Sequence, residues 1–106
     1  MNEADYHRKA GETLQAIEAA VEHCGADIDF EMSNDILTLE FANGSKIIVN
    51  KQGAARQLWV AARAGGFHYS YDAATQAWRN DQTGVELFAD LSALVSSQSG
   101  EVIRLA

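Results

Sequence analysis

The chain has no proline, a single cysteine, and only 8 Lys and Arg against 15 Asp and Glu in 106 residues. Each shortage excludes something. Cys24 has no partner for an intrachain disulfide, which points to a reducing compartment. No apolar run approaches the roughly 20 residues of a membrane span. The start, Met1-Asn2-Glu3-Ala4-Asp5, is acidic and unlike a secretory signal. A cytoplasmic protein is expected. The shortage of bases makes nucleic acid a poor partner, because phosphate backbones are held by Lys and Arg.

The motifs of common enzyme chemistry are missing as well. There is no glycine-rich phosphate loop, no Cys-x-x-Cys and no His-Glu-x-x-His. His7, His23 and His68 are scattered; the first two share a helical stretch but lie about 24 Å apart along it. His23 and Cys24 project about 100° apart on a helix, so they do not form a nucleophile–base pair. Cys24 reads as a small core residue at a helix end. Nothing here is expected to catalyse a reaction.

What is present is one domain's worth of patterning. Tyr6, Ala10, Leu14, Ile17, Val21 and Cys24 recur at helical spacing, predicting a helix over 3–24 that stops at Gly25. Asp27 to Met32 alternates acidic and apolar residues, as a half-buried strand does. Ser33-Asn34-Asp35 is a turn. Further strands are expected at 36–42, 45–50, 57–62, 66–71 and 77–79. Asn43-Gly44 predicts a type I′ hairpin turn, which needs positive φ at both central residues. Thr83-Gly84-Val85-Glu86 reads as a capping box opening a second helix that ends near Gln98. The tail, 102–105, is expected to pack its apolar side chains between the helices. Helix, about six strands and helix make an α+β two-layer sandwich, with both helices on one face of an antiparallel sheet. Alternation sends Ile47, Val49, Leu58, Val60, Phe67 and Tyr69 inward. It sends Ile48, Asn50, Gln57, Trp59, Ala61, His68 and Ser70 outward. An outward Trp59 beside Ile48 and Ala61 would be an interface anchor.

Charge is unevenly spread. Residues 1–40 hold ten acids and two bases, and residues 41–106 hold five acids and six bases. Glu18, Glu22, Asp27, Asp29 and Glu31 bring five carboxylates to the end of the helix and the strand after it. Exposed carboxylates bind hard cations weakly. A solvated face or a protein contact is the plainer use of such a cluster. A charged strand at a sheet edge also guards against aggregation.

The run Asn43-Gly44-Ser45-Lys46-Ile47-Ile48-Val49-Asn50-Lys51-Gln52, with Leu58-Trp59-Val60-Ala61 and Gly65-Gly66-Phe67-His68-Tyr69, resembles the signature of the frataxin family. The bacterial branch is the nearer likeness, and the match covers nearly the whole chain. Relatives usually carry a proline soon after the Asn-Lys-Gln run, where this chain has Gly53-Ala54-Ala55. Ala19 and His23 stand where relatives often place acids. The resemblance implies an iron-binding regulator, sensor or donor in iron–sulfur cluster assembly, a monomer acting on the cysteine desulfurase and scaffold complex. It implies an iron-binding ridge at Glu18, Glu22, Asp27, Asp29 and Glu31, and a partner face at Asn50, Gln52 and Trp59. Two alternatives stay open: iron storage by oligomers, and an acidic interaction module with no metal role. A buried di-iron storage site would need Glu-x-x-His pairs facing inward, and neither helix has them.

Overall fold

A computed structural model describes residues 1–105. Helix α1 spans Glu3–His23 and helix α2 spans Leu87–Ser99. Between them run β1 (Ile28–Ser33), β2 (Ile36–Phe41), β3 (Lys46–Gln52), β4 (Gln57–Ala62), β5 (Gly65–Asp72) and β6 (Ala77–Asn80). The strands form one antiparallel meander in sequence order, β1 to β6. The two-layer α+β sandwich expected from the sequence is the fold.

α1 starts where the Asn2 side chain accepts from the Asp5 amide. It buries Tyr6, Ala10, Leu14, Ile17 and Val21, the spacing of one face. It ends at Cys24, whose thiol lies partly buried and donates to the Val21 carbonyl at 3.0 Å. Gly25 then takes φ +80, which a side chain resists. From the sheet come Leu37, Leu39, Phe41, Ile47, Val49, Leu58, Val60, Tyr69 and Trp78; from α2 come Leu87, Leu91 and Val95. These are the inward residues of each alternation. Trp78 is buried, donates to the Thr13 hydroxyl at 2.9 Å, and meets the Tyr6 and Tyr71 rings edge-on.

The turn chemistry differs from expectation in two places. Asn43-Gly44 is not a type I′ turn: only Gly44 has positive φ, and its amide returns to the Phe41 carbonyl at 2.9 Å. The loop is one residue longer than a two-residue hairpin, with Gly44 absorbing the bulge. The pair with both φ positive is Asn34 (50°) and Asp35 (66°), which joins β1 to β2. The capping box is also displaced. Glu86 itself caps α2, accepting from the Phe88 and Ala89 amides, while the Thr83 hydroxyl accepts from Val85. The loop 53–56 closes without proline by placing Arg56 at φ 54.

α2 is tied to the sheet by one buried amide. The Gln98 side chain accepts from the Arg63 amide and donates to the Ser45 hydroxyl and the Lys46 carbonyl. Beyond Gly100, at φ +77, the chain doubles back along α2. Ser92 and Ser96 each bond both to an amide and to a carbonyl of the tail, at Leu105 and Ile103. Ile103 and Leu105 join the core, whereas Val102 is fully exposed.

Candidate functional site

Strand register decides which side chains meet on the open face of the sheet. Ile36 pairs with Asn50, Asn50 with Trp59, and Trp59 with His68. Directly opposed residues point the same way. These four side chains therefore form one row across β2, β3, β4 and β5, on the side away from the helices. The Trp59 indole stacks on the His68 imidazole, centroids 4.2 Å apart and planes 11° from parallel. The indole N–H donates to Gln57 Oε1 at 2.8 Å. Gln57 Nε2 in turn reaches Asp81 Oδ2 (2.6 Å) and the Ser70 hydroxyl (3.2 Å). Trp59 is thus half-buried and held at a fixed angle. Gln52 pairs with Gln57 at the end of the same hairpin. Asn50, Gln52 and Trp59, for which the family resemblance implies a partner face, are neighbours on this side of the sheet.

Two corrections concern this face. Trp59 has Asn50 and His68 as its direct neighbours, while Ile48 and Ala61 oppose each other one row away. Ile36, 37% exposed, was missed as a surface residue, because its face depends on the register set by the Asn34-Asp35 turn.

The five acids separate into three groups. Glu18 and Glu22 ride on α1, Glu18 partly buried and Glu22 exposed. Asp27 sits in the connection before β1. Asp29 and Glu31 stand on the open sheet face, where Asp29 opposes Glu40 and Glu40 opposes Lys46. Asp27, Asp29 and Glu31 are all exposed, and none of the five acids takes part in an ion pair among the described residues. Nor do any three His, Cys, Asp or Glu side chains among them converge to hold one metal ion. The arrangement is a set of separate carboxylates on α1, the connection and β1, not a cage.

Elsewhere the chemistry is structural. Burial pushes the Tyr69 hydroxyl well above its usual range, and so does its hydrogen bond to Asp90 Oδ2 at 2.7 Å. Burial likewise raises Tyr6, whose hydroxyl donates to the Gln57 carbonyl at 2.8 Å. Neither lies on the open sheet face. The His23 ring reaches the carbonyl of Ala19 in its own helix, at 2.7 Å.

Fold and site together define a small acidic α+β domain: two helices covering one face of a six-stranded meander, and a polar face with one braced aromatic left open. The frataxin-like domain model matches residues 1–101. The iron-sulfur cluster assembly protein CyaY of Dechloromonas aromatica (strain RCB) is 46% identical over 106 residues, covering 99% of both chains. The protein of the same name from Paraburkholderia phymatum is 41% identical, covering 100% of this chain and 99% of its own. Both are named as assembly proteins and not as enzymes. A solved frataxin from Psychromonas ingrahamii superposes with a TM-score of 0.91 at 36% identity, over 100% of this chain and 99% of that one. Yeast frataxin shares the fold, with a TM-score of 0.66 at 22% identity, over 91% of this chain and 85% of that one. The chain belongs to the frataxin family.

Proposed function

We propose that this protein serves iron–sulfur cluster assembly by binding rather than by catalysis. Its family, and full-length relatives named for that process, support the reading. The finer proposal is a regulator, sensor or donor of iron that docks on the cysteine desulfurase and scaffold complex. The observation that carries it is the adjacency of two surfaces. Carboxylates without ion-pair partners among the described residues line the β1 side, and the Trp59–His68 stack occupies the same open sheet. The acids would attract a basic partner surface from a distance, and the braced ring would hold it at contact.

Iron is the cargo in this reading. Carboxylate oxygens suit hard cations. Because no three ligands converge among the described residues, each ion would be held by one or two carboxylates of Glu18, Glu22, Asp27, Asp29 and Glu31, with water completing the shell. Binding would be weak and readily reversed. The same dispersal favours one alternative, an acidic module with no metal role. A single NMR titration tests both, with ferrous iron first and the desulfurase second. Shifts confined to the α1–β1 ridge with iron, extending to Asn50, Trp59 and His68 with the desulfurase, are expected. Shifts with the desulfurase but none with iron would leave the metal-free module.

A further inference from the structure

The two edges of the sheet are finished differently. At β6 the chain returns to cover the edge: the Asn80 amide donates to the Val85 carbonyl at 2.9 Å, and Arg79 pairs with Glu86 in a lone antiparallel bridge. The Arg79 guanidinium adds a bond to the Gly84 carbonyl at 3.0 Å. β1 has no such cover among the described residues; the one loop bond at its start is from the Ile28 amide to the Ala26 carbonyl.

Hydrogen-bond phase fixes what the open edge presents. Phe41 opposes Ile28, but its amide and carbonyl both face the β2–β3 turn, bonding Ser45 and Gly44. Ile28–Phe41 is therefore a non-bonded pair. Alternation makes Phe30–Leu39 and Met32–Leu37 non-bonded too. The amides and carbonyls of Phe30 and Met32 point out of the sheet at its free edge. Their side chains lie on the helix side of the sheet, opposite Leu39 and Leu37, yet remain 36% and 39% exposed. On the opposite face the same six-residue strand shows Asp29 and Glu31.

A second copy of this chain is a poor fit, since its own acids would oppose these and like charges across a strand pair repel. The complementary occupant is an extended segment of a partner protein in which Lys or Arg alternates with apolar residues. We propose that β1 binds such a segment as a seventh strand. Backbone bonds to Phe30 and Met32 would give the grip, apolar side chains would cover their rings and thioethers, and basic side chains would meet Asp29 and Glu31. This rests on the acidic-ridge reading above and specifies how the ridge is engaged.

The probe is a fluorescent peptide, Lys-Val-Arg-Val-Lys-Val, with two variants N-methylated at the valines only or at the basic residues only. Methylation at alternate residues blocks one peptide edge and leaves charge and side chains intact. Binding is followed by anisotropy at low salt, with amide exchange read by NMR on the intact protein. The expected result is that the parent peptide binds and that one methylated variant, not both, weakens by about tenfold or more. The Phe30 and Met32 amides should gain protection while those of Asp29 and Glu31 change little. Equal behaviour of the two methylated peptides, with Phe30 and Met32 unprotected, overturns strand addition and leaves charge-driven docking intact. Absence of peptide binding overturns it as well. Protection that appears without peptide and grows with protein concentration assigns the edge to a second copy. The ridge reading fails by a different result: unaltered desulfurase binding when Asp27, Asp29 and Glu31 are neutralised.

Discussion

Trp59 and His68 lie face to face on adjacent strands, 4.2 Å between ring centroids, and the indole N–H is anchored to Gln57. The ring is therefore both half-exposed on the open sheet face and part of a small surface network. Trp59→Ala should cost about 1 kcal/mol of folding stability, more than a free surface ring would, through the lost stack and hydrogen bond. Its binding to the desulfurase complex should fall about 30-fold or more. Denaturant melts and a binding assay measure the two effects. Unchanged binding would remove this face from the interface.

Trp78 is the opposite case. It is 4% exposed and bonded to Thr13 across the layers, between two tyrosine rings. Trp78→Ala should cost about 3–5 kcal/mol, enough to leave much of a small domain unfolded. The melting midpoint decides it, and a near-normal midpoint would show that the site collapses around the gap.

Neutralising Asp27, Asp29 and Glu31 by Asn and Gln should leave the fold at least as stable at low salt. Asp29 faces Glu40, and none of the three acids has an ion-pair partner among the described residues. Salt should stabilise the parent more than the variant, because screening relieves the same repulsion. Ferrous iron binding, read by calorimetry, should mostly disappear. A variant melting lower at every ionic strength would reveal contacts made by these carboxylates.

Stability should fall steeply at alkaline pH. The Tyr69 hydroxyl is held neutral by burial and by donation to Asp90, so its folded pKa lies above its unfolded value near 10. A raised folded pKa contributes stability that is complete below about pH 10 and is lost as the pH climbs further. Tyr6 acts in the same direction. Tyr69→Phe should cost about 1–2 kcal/mol at neutral pH, because Asp90 loses its hydroxyl donor. The gap to the parent should narrow above pH 10. Melting curves between pH 8 and 11 test this, and a constant gap would contradict it.

Two hairpin loops end on residues forced into the left-handed region, Arg56 (φ 54) and Gln76 (φ 53). Arg56 also bonds the Met1 carbonyl, whereas Gln76 is exposed and has no such tie among the described residues. Gln76→Gly should therefore raise stability by about 0.5–1 kcal/mol, glycine's greater unfolded freedom offsetting part of the gain. The urea midpoint is the measurement, and a drop would point to a side-chain contact worth more than the strain.

Much of the fold was legible because its signals are local and repeated. The face of α1 from Tyr6 to Val21, the alternation through β3 and β4, and the stop at Gly100 each follow from a short-range rule. The errors arose where two rules competed for one stretch. Asn43-Gly44 satisfies the composition of a type I′ turn, but a bulge at Gly44 needs only one positive φ and shifts the pairing by one residue, which sets Ile47 opposite Leu39 on the apolar face. Glu86 could serve as the third residue of a capped turn or as the cap itself, and the bridge to Arg79 favours the second. The ridge was legible only as a list of acids. Whether Glu18, Asp27 and Glu31 converge depends on how α1 lies over the sheet, which no spacing in the sequence records. The exposure of Phe30 and Met32 was hidden for the same reason, since alternation gives the face but not whether a helix covers it.

The strictly sequential strand order bears on how the chain assembles during synthesis. Each strand bonds the one made just before it, so hairpins can close as they emerge, without waiting for distant sequence. The apolar face they create cannot. Leu39, Ile47 and Leu58 belong to a core that is completed by α2, Ile103 and Leu105, and Leu105 bonds Ser92 only once residues up to 105 have been made. A nascent chain therefore carries a formed but half-covered sheet until residues 87–105 are free. During that interval a chaperone, or a neighbouring nascent chain, meets the surface that the mature protein hides.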